Sequence, residues 1–311
     1  MKETIATAAE AGALILRLEQ GVWQLAALAV ALRDDPPRDP RNKRQAQQVL
    51  IELGLMSETS AGVTPAAGLT ELMKSGFSNL AAESAAHILQ SAAVVSGAVA
   101  WASLADDALL AQGRSGTQAA AAFKAFLLPA LEGLNDLFDG ESPQMLDVGV
   151  GVAAMAVGYC RAFPNLRVVG LDVLPRALEL ARRLVDESEL ADRIELRLQD
   201  VASLEDDRAY ALAWLPSPFI PQPALDAGLL RIARALVPGG WLVMAHGKFH
   251  DDQLKNAVSR FQIGAFGGAT VNDEGAKALL TGAGFEQILT IPTPDGAPAL
   301  TVGRRPTSRV T

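Results

Sequence analysis

From Gln144 onward the sequence alternates short apolar runs with helical repeats, and this alternation limits the possible folds more than any other feature. Helical segments separate the first runs, and strands that alternate with helices predict a parallel sheet with helices on both faces. The last two runs are joined by a Pro/Asp/Gly turn and predict a hairpin, which requires an antiparallel strand at the end of the sheet. The predicted strands are QMLDVGVG, RVVGLDV, RIELRLQDV, AYALAWLP, GWLVMAHG, FEQILTI and DGAPALTVGRR.

The first predicted strand leads into a glycine-rich loop that has the features of a ligand site. Gly149 and Gly151 let the backbone turn tightly and approach a ligand closely, and with Ala154 they fit the pattern G-x-G-x-x-A. Asp172 ends the next strand, where its carboxylate can accept hydrogen bonds from both hydroxyls of an adenosine ribose. These residues are compatible with NAD or with S-adenosylmethionine.

Three further features favour S-adenosylmethionine over a dinucleotide. Asp147 stands two residues before the first glycine, where a dinucleotide site usually has an apolar residue, and its carboxylate suits the cationic amino-acid end of S-adenosylmethionine. Asp200 ends the third strand, where it can meet the adenine amino group. The C-terminal hairpin is not the ending of a dinucleotide-binding fold. An NAD(P)-dependent oxidoreductase stays as an alternative.

The first third of the chain is helical in pattern and rich in Ala and Leu. A helix that Gly54 stops, a polar turn and the extended residues 63–65 have the layout of a helix-turn-helix with a β wing. Over the whole chain, 35 acidic residues outnumber 27 basic ones, for a net charge of −8, and this balance argues against nucleic acid as the partner. We predict a helical domain over 1–112, a connecting helix within 113–140 and a ligand-binding domain over 141–311.

Cysteine content and hydropathy indicate where the protein acts. A single cysteine, Cys160, excludes an intrachain disulfide and a cysteine-based zinc site, and it fits a cytoplasmic setting; we expect no metal. The N-terminus lacks the pattern of a signal peptide. The run from Ile88 to Ala105 has no charge over a membrane-spanning length, but its Ala, Ser, Gly and Gln90 favour a helix buried between domains or subunits. We therefore expect no membrane partner.

These motifs resemble class I S-adenosylmethionine-dependent methyltransferases, and more narrowly the small-molecule O-methyltransferase family with an N-terminal winged-helix dimerisation domain. LIELGLMSETSAGVTPAAGL is similar to that family's wing region, and LDVGVGVA, GLDVLPRALELAR, LQDV and RIARALVPGGWLVM are similar to its cofactor half in order and spacing. The resemblance implies a Rossmann-like α/β domain, a homodimer and S-adenosylmethionine as cofactor. The family's third glycine is Ala153 here. The implied cofactor-binding residues are Asp147, Gly149, Gly151, Asp172, Val173, Asp200, Val201 and Trp214.

The stretch WLPSPFIP, residues 214–221, departs from that family. A histidine that acts as general base in the O-methyltransferases would fall near Pro218 or Phe219, and no histidine is close. Enzymes that methylate amines carry an Asp/Asn-Pro-Pro-Tyr motif at this point, but Pro216 has no side-chain acceptor. We predict that the prolines stiffen a pocket wall, with Trp214 and Phe219 against cofactor or substrate.

Other residues are candidates for the chemistry. His246 lies just beyond the fifth strand, at the carboxyl edge where open α/β sheets bind ligands, and an imidazole there could deprotonate an acceptor. The alternative is a loop histidine without a catalytic role. Arg260 could pair with a carboxylate of the acceptor, and His87 is expected to be a packed or interface residue. The predicted substrate pocket contains Phe219, His250, Arg260, Phe261 and Phe266.

The sequence thus predicts a cytoplasmic, homodimeric methyltransferase that acts on a small, partly apolar metabolite and releases S-adenosylhomocysteine. The acceptor atom, O, N, C or S, stays open. The alternative is a protein of methyltransferase fold without catalysis, which binds a ligand or regulates a partner.

Overall fold

The computed structural model describes residues 5, 7–33, 40–60, 62–74, 79–249, 251–293 and 297–307. The N-terminal part is helical with a small antiparallel hairpin, which lies where the wing was predicted and pairs Met56 with Pro65. Gly54 ends the second helix in a left-handed conformation, with φ at 71°. The elements are α1 (Ala8–Ala31), α2 (Pro40–Glu52), β1 (Met56–Thr59), β2 (Gly62–Pro65), α3 (Ala67–Lys74), α4 (Leu80–Val95) and α5 (Asp106–Ser115).

Helix α1 is long, and much of its apolar surface faces solvent. Thr7 and Glu10 form a capping box that begins the helix. Among the described residues, α1 is the one helix long and apolar enough to cross a membrane, with 6% of its most apolar window buried. The exposed apolar side chains are Ile15, Leu16, Leu18, Val22 and Trp23.

The prediction of a continuous helix over Ile88–Ala105 is wrong. Helix α4 ends at Val95, and Gly97 adopts a left-handed φ of 91°, which favours glycine and breaks the helix. Val95 and Val99 are largely exposed. The chain then makes a short 3₁₀ turn, Trp101–Ser103, before α5.

The connecting segment is also more broken than predicted. A single connecting helix was expected within 113–140, but Pro129 lacks the N–H that would continue the helix, and Gly133 has a left-handed φ of 78°. Phe123, Leu131 and Leu134 nevertheless lie buried against the sheet. The segment contains α6 (Ala119–Ala122), a π turn (Phe123–Leu127), a 3₁₀ turn (Leu128–Ala130) and α7 (Leu134–Phe138).

From residue 144 the chain alternates strands and helices as predicted, except that the two helices between residues 253 and 282 were not predicted. β7 begins earlier than expected because the Pro-Gly-Gly sequence is part of the strand. The elements are β3 (Gln144–Val148), α8 (Ala154–Ala162), β4 (Arg167–Asp172), α9 (Pro175–Glu187), β5 (Ile194–Leu198), β6 (Tyr210–Pro216), α10 (Gln222–Ala235), β7 (Leu236–His246), α11 (Gln253–Ala265), α12 (Asp273–Gly282), β8 (Glu286–Ile291) and β9 (Ala299–Arg304).

These strands form a mixed sheet that, in the described part of the chain, has seven strands in the order β5-β4-β3-β6-β7-β9-β8. The first five are parallel, and β9 runs antiparallel between β7 and β8. The predicted parallel sheet with a C-terminal antiparallel strand is therefore confirmed. One core, with α8 and α9, covers one face of the sheet, and a second core, with α10 and α12, covers the other.

The strand order reverses beside β3, since β4 and β5 lie on one side of it and β6 and β7 on the other. Loops after adjacent strands diverge at such a point and leave a crevice at the carboxyl ends, where open α/β sheets bind ligands. The glycine loop that follows β3 lies in this crevice.

Candidate active site

The loop after β3 has the strained turns that glycine permits. Gly149 and Gly151 have positive φ values of 70° and 55°, and Ala153 takes a similar conformation at 62°. Alanine thus adopts the left-handed geometry where the family's third glycine was expected. The loop packs tightly on β4, because a Cβ at Gly170 would lie 2.6 Å from the Val150 side chain.

Asp172, at the end of β4, holds this loop in place. One carboxylate oxygen accepts a hydrogen bond from the Gly151 N–H at 2.8 Å, and the other accepts one from the Leu174 N–H at 2.9 Å. Burial raises the pKa of Asp172, while the backbone N–H groups act in the opposite direction. Each oxygen keeps a second lone pair, so the carboxylate can still accept hydrogen bonds from a ligand's hydroxyls.

Asp147 lies in β3, two residues before Gly149, and is 1% exposed. Among the described residues, neither of its carboxylate oxygens has a hydrogen-bond partner. Burial and the nearby Asp172 raise its pKa to about 8. Its carboxyl group is therefore neutral near pH 7, and a cation nearby would favour its ionised form.

Asp200 follows β5 and caps the short 3₁₀ turn Val201–Ser203. One of its oxygens accepts a hydrogen bond from the Ala202 N–H at 2.8 Å. Together with the glycine loop and Asp172, these residues border a cavity of about 1170 Å³. All eight residues predicted to contact the cofactor line this one cavity: Asp147, Gly149, Gly151, Asp172, Val173, Asp200, Val201 and Trp214.

The proline-rich stretch forms one wall of the cavity, to which Pro216, Pro218 and Phe219 contribute. It is tied to the loop before α12, because the Ala269 N–H donates to the carbonyl oxygens of Ser217 at 3.1 Å and Ile220 at 2.9 Å. A Cβ at residue 268 would overlap the Pro218 carbonyl, so a glycine is needed for this close approach.

An aromatic cluster lines part of the cavity. Trp101 packs edge-on against Phe219 at 5.1 Å and lies 4.9 Å from Phe266, measured between ring centroids. Phe219 and Phe266 were predicted to line the pocket, whereas Trp101 was not. Trp101 comes from the N-terminal part, which therefore helps to enclose the cavity.

Two of the predicted pocket residues do not lie in it. The guanidinium of Arg260 stacks over the Phe249 ring at 5.1 Å, and Phe261 is largely exposed. Neither borders the cavity, because α11 turns Lys255, Ser259 and Gln262 toward it instead. His250, the remaining predicted pocket residue, lies outside the described residues.

His246, the predicted general base, ends β7 and is fully buried while bordering the cavity. Its Nε2 lies 2.9 Å from the Thr301 hydroxyl, and its Nδ1 lies 3.2 Å from the Gly247 carbonyl oxygen. Burial lowers the pKa of His246. The Gly247 carbonyl and the Asp273 carboxylate, which is 3.8 Å away, act to raise this pKa but do not offset the burial. In this arrangement a neutral imidazole satisfies both contacts, and neither ring nitrogen is available to take a proton from a substrate.

The N-terminal part contributes polar residues that the sequence did not single out for the site. They lie on α4 and α5, more than one helix before the glycine loop, and the sequence contained no local signal for their position. His87 had been expected to be a packed or interface residue, but it is exposed and borders the cavity. The set is Glu83, His87, Gln90, Gln112 and Ser115.

Comparisons with known proteins extend this description. Residues 145–240 match a family model described as a methyltransferase domain. A release factor glutamine methyltransferase from Rhodopirellula baltica is 32% identical over 108 residues, which cover 34% of this chain and 36% of that protein. The chain spans between 18% and 59% of the length of the curated relatives that it matches.

Solved structures match nearly the whole chain, including its helical N-terminal part. An O-methyltransferase family protein from Burkholderia thailandensis has a TM-score of 0.56 at 15% identity, covering 98% of this chain and 100% of that one. Human N-acetylserotonin methyltransferase, solved in complex with SAM, has a TM-score of 0.55 at 15% identity, covering 99% and 100%. At this level of identity the likeness is one of fold.

Proposed function

The chain carries a methyltransferase domain on the fold of class I S-adenosylmethionine-dependent methyltransferases, and we propose that the protein transfers a methyl group from S-adenosylmethionine to a small molecule. The observation that carries this proposal is the crevice beside β3. There the glycine loop, Asp172 and Asp200 border one cavity, with Asp147 buried directly behind the loop.

The residues of the crevice suit this cofactor. Asp172 would accept hydrogen bonds from the ribose hydroxyls, and Asp200, with Val173 and Val201 beside it, would meet the adenine. The glycine loop and Asp147 would border the methionine end, where the unpaired carboxyl of Asp147 would ionise beside a cationic group. When bound, the sulfonium supplies an activated methyl group, and alignment with exclusion of water provides much of the acceleration.

The part of the cavity bordered by the aromatic cluster suits a small, partly apolar acceptor. Ligand pockets commonly measure about 300–1,000 Å³, and a cavity of about 1170 Å³ has room for a cofactor and an acceptor together. The Trp101, Phe219 and Phe266 rings offer an apolar wall to the acceptor. The relative from Rhodopirellula baltica is named for glutamine methylation of a release factor, but Pro216 gives this chain no side-chain acceptor for an amide, so we do not extend that activity to it.

Calorimetric titration with S-adenosylmethionine, S-adenosylhomocysteine and NAD tests the proposal. We expect binding of the first two and none of NAD. A folded, ligand-free protein that binds neither of the first two would contradict it, and NAD binding would support the oxidoreductase alternative. Turnover with a panel of metabolites then separates an enzyme from a non-catalytic protein of the same fold.

We also propose a homodimer in the cytoplasm, the setting that a single cysteine fits. The exposed apolar side chains of α1 support the dimer, since a contiguous apolar surface on a protein usually marks an interface. Replacing Leu18 and Trp23, which are 63% and 77% exposed, with glutamate would place charge in that interface. We expect the double variant to sediment as a monomer and the wild type as a dimer.

The control for this prediction is Gln20→Glu, which adds charge to an exposed polar position of the same helix and is expected to stay dimeric. A wild-type protein that sediments as a monomer at micromolar concentration would contradict the dimer.

A further inference from the structure

One face of α4 borders the cavity with polar side chains. Glu83, Ala86, His87 and Gln90 all line it. Their spacing of three, four and seven residues places them on the same side of a helix. None of these residues is among those proposed to bind the cofactor, so cofactor binding does not explain why this face of α4 borders the cavity.

Contacts through α5 hold α4 close to the glycine loop. The Gln90 amide donates to the Gln112 side-chain oxygen at 2.7 Å. A Cβ at Gly113, the next residue, would overlap the Val152 side chain, so α5 rests directly on the loop. A single helix, α5, therefore separates His87 from the residues that would surround the methyl donor.

Most of the other ionisable groups of the cavity are poorly placed to accept a proton from a substrate. Burial raises the pKa of Asp147 to about 8, so its carboxyl group already carries a proton near pH 7. Asp172 and Asp200 accept backbone hydrogen bonds, and both ring nitrogens of His246 have protein contacts. The groups bordering the cavity are Glu83, His87, Asp147, Asp172, Asp200, His246, Lys248 and Lys255.

His87 differs from these groups. Its side chain is exposed, and no hydrogen bond or ion pair joins its ring to any residue that the structure describes. A neutral imidazole ring has a nitrogen lone pair that can accept a proton. Glu83, four residues earlier on the same face, lies where a carboxylate can stabilise the imidazolium.

We propose that His87 is the general base for a hydroxyl-bearing acceptor, so that the N-terminal helical part supplies the proton acceptor that the stretch 214–221 lacks. This proposal rests on the proposed function. The acceptor's O–H proton passes to the lone pair of a ring nitrogen. An oxygen electron pair then forms the bond to the methyl carbon while the carbon–sulfur bond breaks and leaves its pair on sulfur. The imidazolium finally releases the proton to water.

A chromophoric phenol tests this proposal without methyl transfer. We use 4-nitrophenol, whose phenolate absorbs at longer wavelength than the phenol, with the protein saturated with S-adenosylhomocysteine. At a pH below the probe's own pKa, the ionised-to-neutral ratio of bound probe should exceed that of free probe about tenfold, which corresponds to about one pKa unit. In His87→Gln this excess should disappear, and in Glu83→Gln it should decrease.

Two controls accompany this experiment. Ser96→Ala changes an exposed residue at the end of α4 that does not border the cavity and should behave like the wild type. The affinity of His87→Gln for S-adenosylhomocysteine should equal that of the wild type, which shows that the variant is folded.

Several results would overturn the proposal. Bound probe that stays neutral in the wild type, or that ionises equally in His87→Gln, contradicts it. A protein that binds S-adenosylhomocysteine but no phenol also contradicts it. Loss of the signal in His246→Gln but not in His87→Gln would show that His246, not His87, is the general base. Failure of the wild type to bind S-adenosylhomocysteine would instead overturn the proposed function, and this proposal with it.

Discussion

Replacing Asp172 with alanine lowers the affinity for S-adenosylmethionine and S-adenosylhomocysteine by about 100-fold, which corresponds to about 3 kcal/mol. The carboxylate accepts hydrogen bonds from the N–H groups of Gly151 and Leu174. Its loss therefore removes the proposed ribose contact and leaves one backbone donor of the glycine loop and one before α9 without their partner. Calorimetric titration measures the change directly.

The control is Asp192→Ala, at an exposed carboxylate away from the cavity, which should bind like the wild type. Asp172→Asn keeps the size of the side chain and one acceptor oxygen, and its affinity should fall less than that of the alanine variant. An alanine variant that is folded and binds within a factor of about three of the wild type (about 0.7 kcal/mol) would show that Asp172 does not hold the cofactor.

Replacing Asp147 with asparagine stabilises the ligand-free protein at pH 8 and has much less effect at pH 4. The folded-state pKa of Asp147 is raised to about 8, whereas an unfolded aspartate titrates near pH ~3.9. Between these values the folded state binds a proton that the unfolded state releases, so Asp147 lowers the free energy of unfolding as pH rises from about 4 to about 8. Asparagine does not titrate, and we expect a gain of about 1–3 kcal/mol at pH 8.

Thermal unfolding of both proteins across this range measures the effect, with Asp192→Asn as the matched exposed control. The same Asp147 variant should gain less from added S-adenosylmethionine than the wild type, because it cannot ionise beside a cation. A difference between the variant and the wild type that is constant from pH 4 to pH 8 would contradict the raised pKa.

Local patterns in the sequence were sufficient for most of the methyltransferase domain. The strands from β3 to β9 and the helices α8, α9 and α10 lie where periodicity predicts them, whereas α11 and α12 were not predicted. The glycine loop follows the first strand directly. Asp147, Asp172 and Asp200 each lie in or just after a predicted parallel strand, so the common direction of the strands alone brings them to one edge of the sheet.

The same local patterns failed where helical periodicity continued through a break. The segment Gln118–Phe138 keeps apolar residues at helical spacing, yet Pro129 and Gly133 divide it into short turns. Ile88–Ala105 was misjudged for the same reason, because its composition suits a helix while Gly97 ends it.

The sequence by itself determined the sheet, the loop and the carboxylates at its edge, because these depend on residues that are close together in the chain. Only the tertiary structure decided which side chains share the cavity and which of them are available for chemistry. Trp101 meets Phe219 and Phe266 across more than a hundred residues, and the partners of His246 include Thr301. Such contacts depend on how separate elements pack, so the pattern within each element does not reveal them.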